Sequence, residues 1–234
     1  MKFTADFETT TQEEDCRVWV VGFCEIGNTD NFFWYKTIEE MMEFLIMEPE
    51  SHTLYFHNLK FDGEFIIDWL FRNGYEHITD RREARSKTFT TLIADKGPFY
   101  SMSIYFEVKG RRKHMVTIYD SLKILNFSVK EIAQAFDLPI KKGEIDYSKS
   151  RPIGYEPDEN EIDYLRNDVE IVARALKTLF DQDLNKMTQG SNALHDFKTM
   201  FGKKNFEKTF PIPDYDGEIR DSYKGGFTYL SPRF

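Results

Sequence analysis

The segment Phe3-Thr4-Ala5-Asp6-Phe7-Glu8-Thr9-Thr10 constrains this chain more than any other. Apolar and polar residues alternate along it, the period of a strand with one buried face, which puts Phe3, Ala5 and Phe7 together. Asp6 and Glu8 then project side by side from the other face. Two carboxylates held about 4 Å apart repel by roughly 4 kcal/mol at an effective dielectric near 20, against the roughly 5–15 kcal/mol that holds a domain together. A divalent cation removes that cost, and hard oxygen donors favour magnesium or manganese. Taken alone, an Asp-x-Glu is also what a solvated strand edge looks like, so the case depends on residues further along the chain.

With 234 residues, 41% hydrophobic and 16% aromatic, the chain can bury the core of one large domain or two small ones. No apolar run approaches the roughly 20 residues that span a bilayer, and Met1-Lys2 followed at once by acids is no signal peptide. Cys16 and Cys24 are too few for a disulfide framework and make no zinc-type pair, so a reducing cytoplasm and no membrane are expected. A net charge of −9 argues against a nucleic-acid partner only if charge is spread evenly. It is not. Residues 1–50 carry 12 acidic and 3 basic side chains, whereas residues 81–114 carry nine basic and three acidic. Such asymmetry suits a protein that gathers acids in one place and meets phosphates in another, although a Lys- and Arg-rich solvated hairpin has the same signature.

The pattern predicts strands over 17–24, 31–36 and 53–57, with Thr37 and Glu40 as the capping box of a helix to Met47. A helix from Glu64 to Arg72 ends at Asn73-Gly74. Three strands in a β-meander come next, at 87–94, 99–108 and 114–119, and Ser128 with Glu131 opens a short helix to about Phe136. Asp158 caps the longest helix, drawn to about Lys186, in which Ile162, Leu165, Val169, Val172, Leu176 and Leu179 share a face. A further helix runs from Ser191 to Gly202, and the last thirty residues read as irregular with short strands.

Three separated elements now offer acids that could converge. Asp6 and Glu8 lie on the first strand, Asp62 at a strand-to-helix junction, and Asp168 on the long helix one turn after Tyr164. Such a set fits two-metal phosphoryl chemistry, in which paired cations clamp the attacking and leaving oxygens, and a phenol such as Tyr164 orients the water. Taken singly, each residue has a plainer reading. Phe61 and Phe65 would be core, His57 a satisfied structural histidine, Tyr164 a buried aromatic and Lys142 a turn lysine.

Asp-Phe-Glu-Thr-Thr, Tyr-Phe-His-Asn-Leu-Lys-Phe-Asp-Gly and Tyr-x-x-x-Asp together resemble the three exonuclease motifs of family B DNA polymerases, in the versions of the protein-primed phage enzymes of phi29 type. The likeness runs over essentially the whole chain, including Lys-Gly-x-Ile-Asp-Tyr at 142–147 and Tyr-x-Gly-Gly at 223–226. It implies an α/β, RNase H-like mixed sheet flanked by helices with an inserted β-meander or hairpin. It also implies a 3′–5′ exonuclease of the DEDDy type with two divalent metal ions, Mg2+ or Mn2+. The related histidine type would need His where this chain has Asp163. By the same resemblance, Asp6, Glu8 and Asp168 hold the catalytic metal, Asp6 also touches the second, with Asp62 nearby, and Tyr164 aligns the water. Lys142 assists at the scissile phosphate. Thr9, Tyr55, His57, Asn58, Phe61, Phe65, Ser121, Leu122 and Tyr147 hold the frayed 3′ end, where aromatic faces and polar groups suit single strands. Tyr223, Gly225 and Gly226 touch DNA and link towards a polymerase region.

The expected division is a 1–190 exonuclease domain and a 191–234 extension ending in that linker motif. Family polymerases continue into a palm with catalytic aspartates, and no Asp-x-Asp resembling that centre follows Tyr223-Lys224-Gly225-Gly226, so nucleotide addition is not expected. The reading is a metal-dependent 3′–5′ exonuclease that acts on the 3′ end of single-stranded DNA and releases nucleoside 5′-monophosphates, with a terminal (priming) protein or a polymerase domain as further partners. Its rivals are a non-cutting module that binds DNA or terminal protein, and an exoribonuclease on short RNA.

Overall fold

The computed structural model describes residues 1–12, 14–94 and 97–218. Eight strands make one sheet: β1 (Lys2–Thr9), β2 (Val18–Glu25), β3 (Asn28–Tyr35), β4 (His52–Phe56), β5 (Glu76–His77), β6 (Thr88–Ile93), β7 (Phe99–Lys109) and β8 (Arg112–Asp120). Their order is β3-β2-β1-β4-β8-β7-β6-β5. β1, β2 and β3 are antiparallel neighbours, while β4 runs parallel to β1 and β8 parallel to β4. This is the mixed sheet that the resemblance implied. The hairpins β6–β7 and β7–β8 form as the turn residues predicted. Yet β8 belongs to the middle of the sheet, so only β5, β6 and β7 are the insertion. Alternation identifies a strand; it does not name its neighbour.

Helices α1 (Ile38–Met47) and α2 (Leu59–Arg72) cover one face, and α3 (Val129–Ala135) and α4 (Glu159–Asp181) serve the other. Phe3, Ala5 and Phe7 point to the first face and pack with Phe23, Phe56, Met41, Met42, Ile66 and Leu70. Thr4 points to the second, where its hydroxyl donates to the Val169 carbonyl of α4 at 2.8 Å. α4 sits very close to the sheet here. A Cβ at Gly22, which pairs with Asp6 in register, would lie 2.6 Å from Leu165 Cγ, so only glycine lets the helix approach. The face that carries Asp6 and Glu8 is therefore the one on which Asp168 arrives.

Several boundaries differ from the sequence expectation. α2 begins at Leu59 rather than Glu64, so Asp62 lies in its first turn and not in a loop before it. α4 stops at Asp181, because Asp183 adopts a left-handed conformation (φ 60°) and Leu184 N–H closes on the Leu179 carbonyl at 3.0 Å. Thr37 caps α1 as expected, but Glu40 accepts from the Lys36 N–H, so the box is displaced by one residue. α5 (Gln189–Phe201) is followed by α6 (Lys203–Thr209) where irregular chain was expected.

The chain divides into two compact units, Met1–Asn192 and a second beginning at Ala193. In the second, Phe197 packs its ring against those of Phe201, Phe206 and Phe210 at centroid distances of 5.6, 5.9 and 6.1 Å. Among the described residues no helix is long and apolar enough to cross a membrane.

Candidate active site

All four acids lie in the first unit. Asp6 is half-buried, and Glu8, Asp62 and Asp168 are 6%, 3% and 4% exposed. Burial, then the charge of Asp168, pushes the Asp6 carboxyl up to about 7. Glu8 is pushed up to about 9, by burial first and then by Asp6 and Asp168. Asp62 is raised well above the usual range by burial, with Asp6 and Glu8 adding to it, and Asp168 is raised by burial although Lys142 pulls the other way. Asp6 thus feels Asp168, and Glu8 and Asp62 both feel Asp6, so the acids lie within electrostatic reach of one another through Asp6. A cavity of about 120 Å³ opens between Asp6 and Asp168, with Tyr55, His57 and Lys142 in its wall.

The donor set suits divalent cations: hard carboxylate oxygens, mutually repelling and kept from water. Asp168 Oδ1 is buried without a hydrogen-bond partner among the described residues, an orphaned acceptor within the cluster. Among those residues, no three His, Cys, Asp or Glu side chains close into a metal-holding group. Lys142 Nζ takes the other Asp168 oxygen instead. Burial depresses the Lys142 ammonium, but Asp168 and Asp6 outweigh it and hold the side chain charged.

Lys142 and Tyr147 ride on an irregular stretch between α3 and α4. Lys142 Nζ lies 5.2 Å from the Tyr164 ring centroid, and the Tyr147 and Tyr164 hydroxyls are 3.1 Å apart. Burial, then Asp168, raises the Tyr164 phenol far above its ordinary value, so it stays protonated. Gly143 lets the stretch lie flat on this ring, since a Cβ there would meet Tyr164 Cδ2 at 3.3 Å.

The fastening of this stretch had no signal in the sequence. Arg151, 5% exposed, donates to Glu161 Oε1 at 3.0 and 2.8 Å and to the Asp146 carbonyl at 2.8 Å. Its guanidinium sits 4.3 Å over the Trp19 ring, and Tyr155 donates to Glu161 Oε2 at 2.6 Å. Glu161 lies in the first turn of α4, one turn before Tyr164, so the clamp sets the loop against the helix that bears Tyr164 and Asp168.

The ends of β4 and β8 shape the approach. Asn58, left-handed at φ 78°, caps α2 with its backbone alone, and its N–H donates to Asp120 Oδ1 at 3.0 Å. Asp120 also accepts from Leu122 N–H at 3.0 Å and pairs with Lys123 at 3.2 Å. Asp120 is a second organiser that the sequence motifs do not include, although an Asp before Ser121-Leu122 is a recognisable cap. His57 lies between the Ser121 hydroxyl at 3.0 Å and the Phe127 carbonyl at 2.8 Å, which accepts from Nε2. Phe61 is 50% exposed, with its ring 5.7 Å from that of half-buried Phe65, on the same helix as Asp62. Tyr147 is exposed as well and Leu122 half-buried. Ser121 and Thr9 are buried, and Tyr55, which lines the cavity, is stacked against Tyr119 at 5.5 Å. Tyr223, Gly225 and Gly226 lie outside the described residues.

Comparison with known proteins shows the family. The family model described as DNA polymerase type B, organellar and viral, matches residues 44–156 and 144–234. The DNA polymerase of Bacillus phage M2 is 47% identical over 235 residues, and that of Bacillus phage phi29 is 44% identical over 234. Each alignment covers 99% of this chain and 40% of the relative, so the chain spans about two fifths of the length of those proteins. The DNA polymerase of Streptococcus phage Cp-1 is 33% identical over 227 residues. Among solved structures, phi29 DNA polymerase complexed with single-stranded DNA superposes with a TM-score of 0.87 at 42% identity, covering 100% of this chain and 41% of that one. Phi29 DNA polymerase complexed with primer-template DNA gives a TM-score of 0.86.

Proposed function

Because the chain belongs to the organellar and viral DNA polymerases of type B, we propose that its first 190 residues or so are a proofreading 3′–5′ exonuclease domain acting on single-stranded DNA. The observation that supports the reading is that Asp6 of β1 and Asp168 of α4 line one cavity, with the charge of Asp6 acting on Glu8 and on Asp62 of α2. A binding module gains nothing from keeping such repulsion. In this reading Asp6, Glu8, Asp62 and Asp168 hold two divalent ions, Mg2+ or Mn2+, which when bound activate water and neutralise charge on the phosphate.

The chain's own groups do the rest. Phe61 and Phe65 offer a ring face and edge beside Asp62, on which a terminal base stacks. His57, Ser121 and Leu122 form the wall at the strand ends, and the Asn58 turn is fixed by Asp120 before substrate arrives. Tyr164 stays protonated and donates, so it orients a water rather than removing its proton. Tyr147 holds that hydroxyl in place, and Lys142 supplies the positive charge at the phosphate once Asp168 turns to a cation. Residues from 191 on, with Tyr223, Gly225 and Gly226, form the extension that leads towards a polymerase region. A terminal protein is the further partner expected of it.

The test uses 5′-labelled single-stranded DNA and RNA with magnesium, manganese or EDTA, comparing the wild type with Asp6→Ala/Glu8→Ala. Laddering from the 3′ end of DNA should appear with metal and vanish in the double variant. RNA cut as well as DNA would replace the substrate assignment, and unchanged cutting by the double variant would move the chemistry elsewhere.

A further inference from the structure

The sheet has a second charged end. β1, β4 and β8 are parallel, with Ala5 level with Phe56 and Phe56 level with Asp120, so the acids gather where these strands finish. β7 turns into β8 at the opposite extreme, where Lys109 pairs with Arg112. The segment 81–87 reaches the same extreme, because Thr88 enters β6 opposite Tyr105 and Ser86 Oγ accepts from the Val108 N–H at 2.9 Å. Two basic runs distant in sequence are thus pooled, and Arg81, Arg82, Lys87, Arg111, Arg112 and Lys113 are all exposed.

Some of this charge is answered. Arg82 pairs with Asp80 at 2.6 Å, Lys109 with Glu107 at 2.6 Å, and Arg85 with Glu76. Arg81, Lys87, Arg111, Arg112 and Lys113 make no ion pair among the described residues, and Lys87 and Lys113 lie over Tyr75 and Tyr105 at 5.9 and 5.3 Å. In a chain with a net charge of −9, acids to neutralise them are abundant, yet the fold leaves this end positive. Glu83 stands exposed in the same segment and Glu107 feels Arg112, but the cations outnumber these acids, and a polyanion relieves their repulsion by displacing its own condensed counterions.

We propose that this basic end binds the phosphate backbone of DNA, holding the strand some distance 5′ of the terminus that enters the acidic cleft; the second half of that statement rests on the exonuclease reading. Arg112 precedes Asp120 by eight residues, and at about 3.3 Å per residue the two ends lie roughly 26 Å apart. A strand stacked as in the B-form duplex, at about 3.4 Å per nucleotide, needs roughly eight nucleotides to engage both, and a fully extended one needs fewer but more than four. A short oligonucleotide therefore reads the cleft alone, and a long one reads both ends.

The test compares the wild type with Arg111→Gln/Arg112→Gln/Lys113→Gln, all exposed positions outside the cleft. Binding of a labelled single-stranded 20-mer is measured in EDTA over a salt series, and cutting of a 4-mer is measured in magnesium. The triple variant should lose about tenfold in 20-mer affinity and flatten the log–log salt slope by roughly 2, with kcat and KM on the 4-mer unchanged. Arg81→Gln/Lys87→Gln should move the 20-mer in the same direction. Unchanged 20-mer binding in both variants would overturn the proposal. So would equal weakening on both lengths. If the wild type fails to cut the 4-mer, the exonuclease reading falls and the EDTA series still decides whether this surface binds DNA.

Discussion

One sheet carries opposite charges at its two ends, in opposite surroundings. At the acidic end, Glu8, Asp62 and Asp168 are almost wholly buried, and burial is the largest cause of each raised pKa. At the other end, Arg111, Arg112 and Lys113 stand in solvent. Water and salt screen exposed charges within about 8 Å, so the basic end contributes little to the stability of the fold and acts through association. Buried charges are screened far less. The acidic end therefore stores free energy, which shows as altered protonation and as lost stability.

That contrast breaks first if burial does not set the scale. Arg151→Ala strips a partner from buried Glu161 and should cost about 3–5 kcal/mol, lowering the melting temperature by roughly 6–20 °C. Thermal denaturation by circular dichroism measures this, and a shift of a degree or two would mean that water already reaches the clamp. Next in size, Tyr164→Phe removes the hydroxyl that Tyr147 holds and should lower kcat on single-stranded DNA about 10–100-fold with KM little changed. Equal loss in binding would make it a packing residue.

The pH dependence sharpens the comparison further. Asp6 and Glu8 have folded pKa values of about 7 and 9, above their ordinary carboxylate values. In metal-free buffer their contribution to stability is whole below about pH 4, where both states hold the protons. It is lost as pH rises through the folded values, because the unfolded chain ionises first. The melting temperature of the wild type should thus fall relative to Glu8→Gln between pH 4 and 9. The gap should widen steadily from about pH 4 to about pH 8. A flat difference would refute the stored repulsion. Smallest of all, Arg112→Gln should change stability by less than about 0.5 kcal/mol at any of these pH values.

Legibility in the sequence tracked the range of the interaction. Local rules worked: Ser128 with Glu131 forms its capping box, Asp158 caps α4, and Phe3, Ala5 and Phe7 share the core face. The acids were legible because a period-two strand and a helical turn dictate where Asp6, Glu8 and Asp168 point. The start of α2 was not, since Asn58 has no side-chain cap and relies on Asp120, far along the chain, for its turn. β8 looked like a third meander strand because its parallel pairing with β4 leaves no mark on its own residues. The Arg151–Glu161 clamp was invisible for the same reason: a buried arginine and a surface arginine are the same letter. The helix α6 could have been seen in Phe206 and Phe210, four apart beyond Gly202.

The central claim is that carboxylates from β1, α2 and α4 form one cation-binding cleft, and magnesium-dependent melting at neutral pH tests it without any substrate. At about 100 times its dissociation constant, magnesium should stabilise the wild type by about 2.7 kcal/mol, a rise of roughly 5–11 °C. Arg112→Gln should keep that rise, and Asp6→Asn and Asp168→Asn should lose most of it. An equal rise in all four proteins, or none in the wild type, would contradict the account.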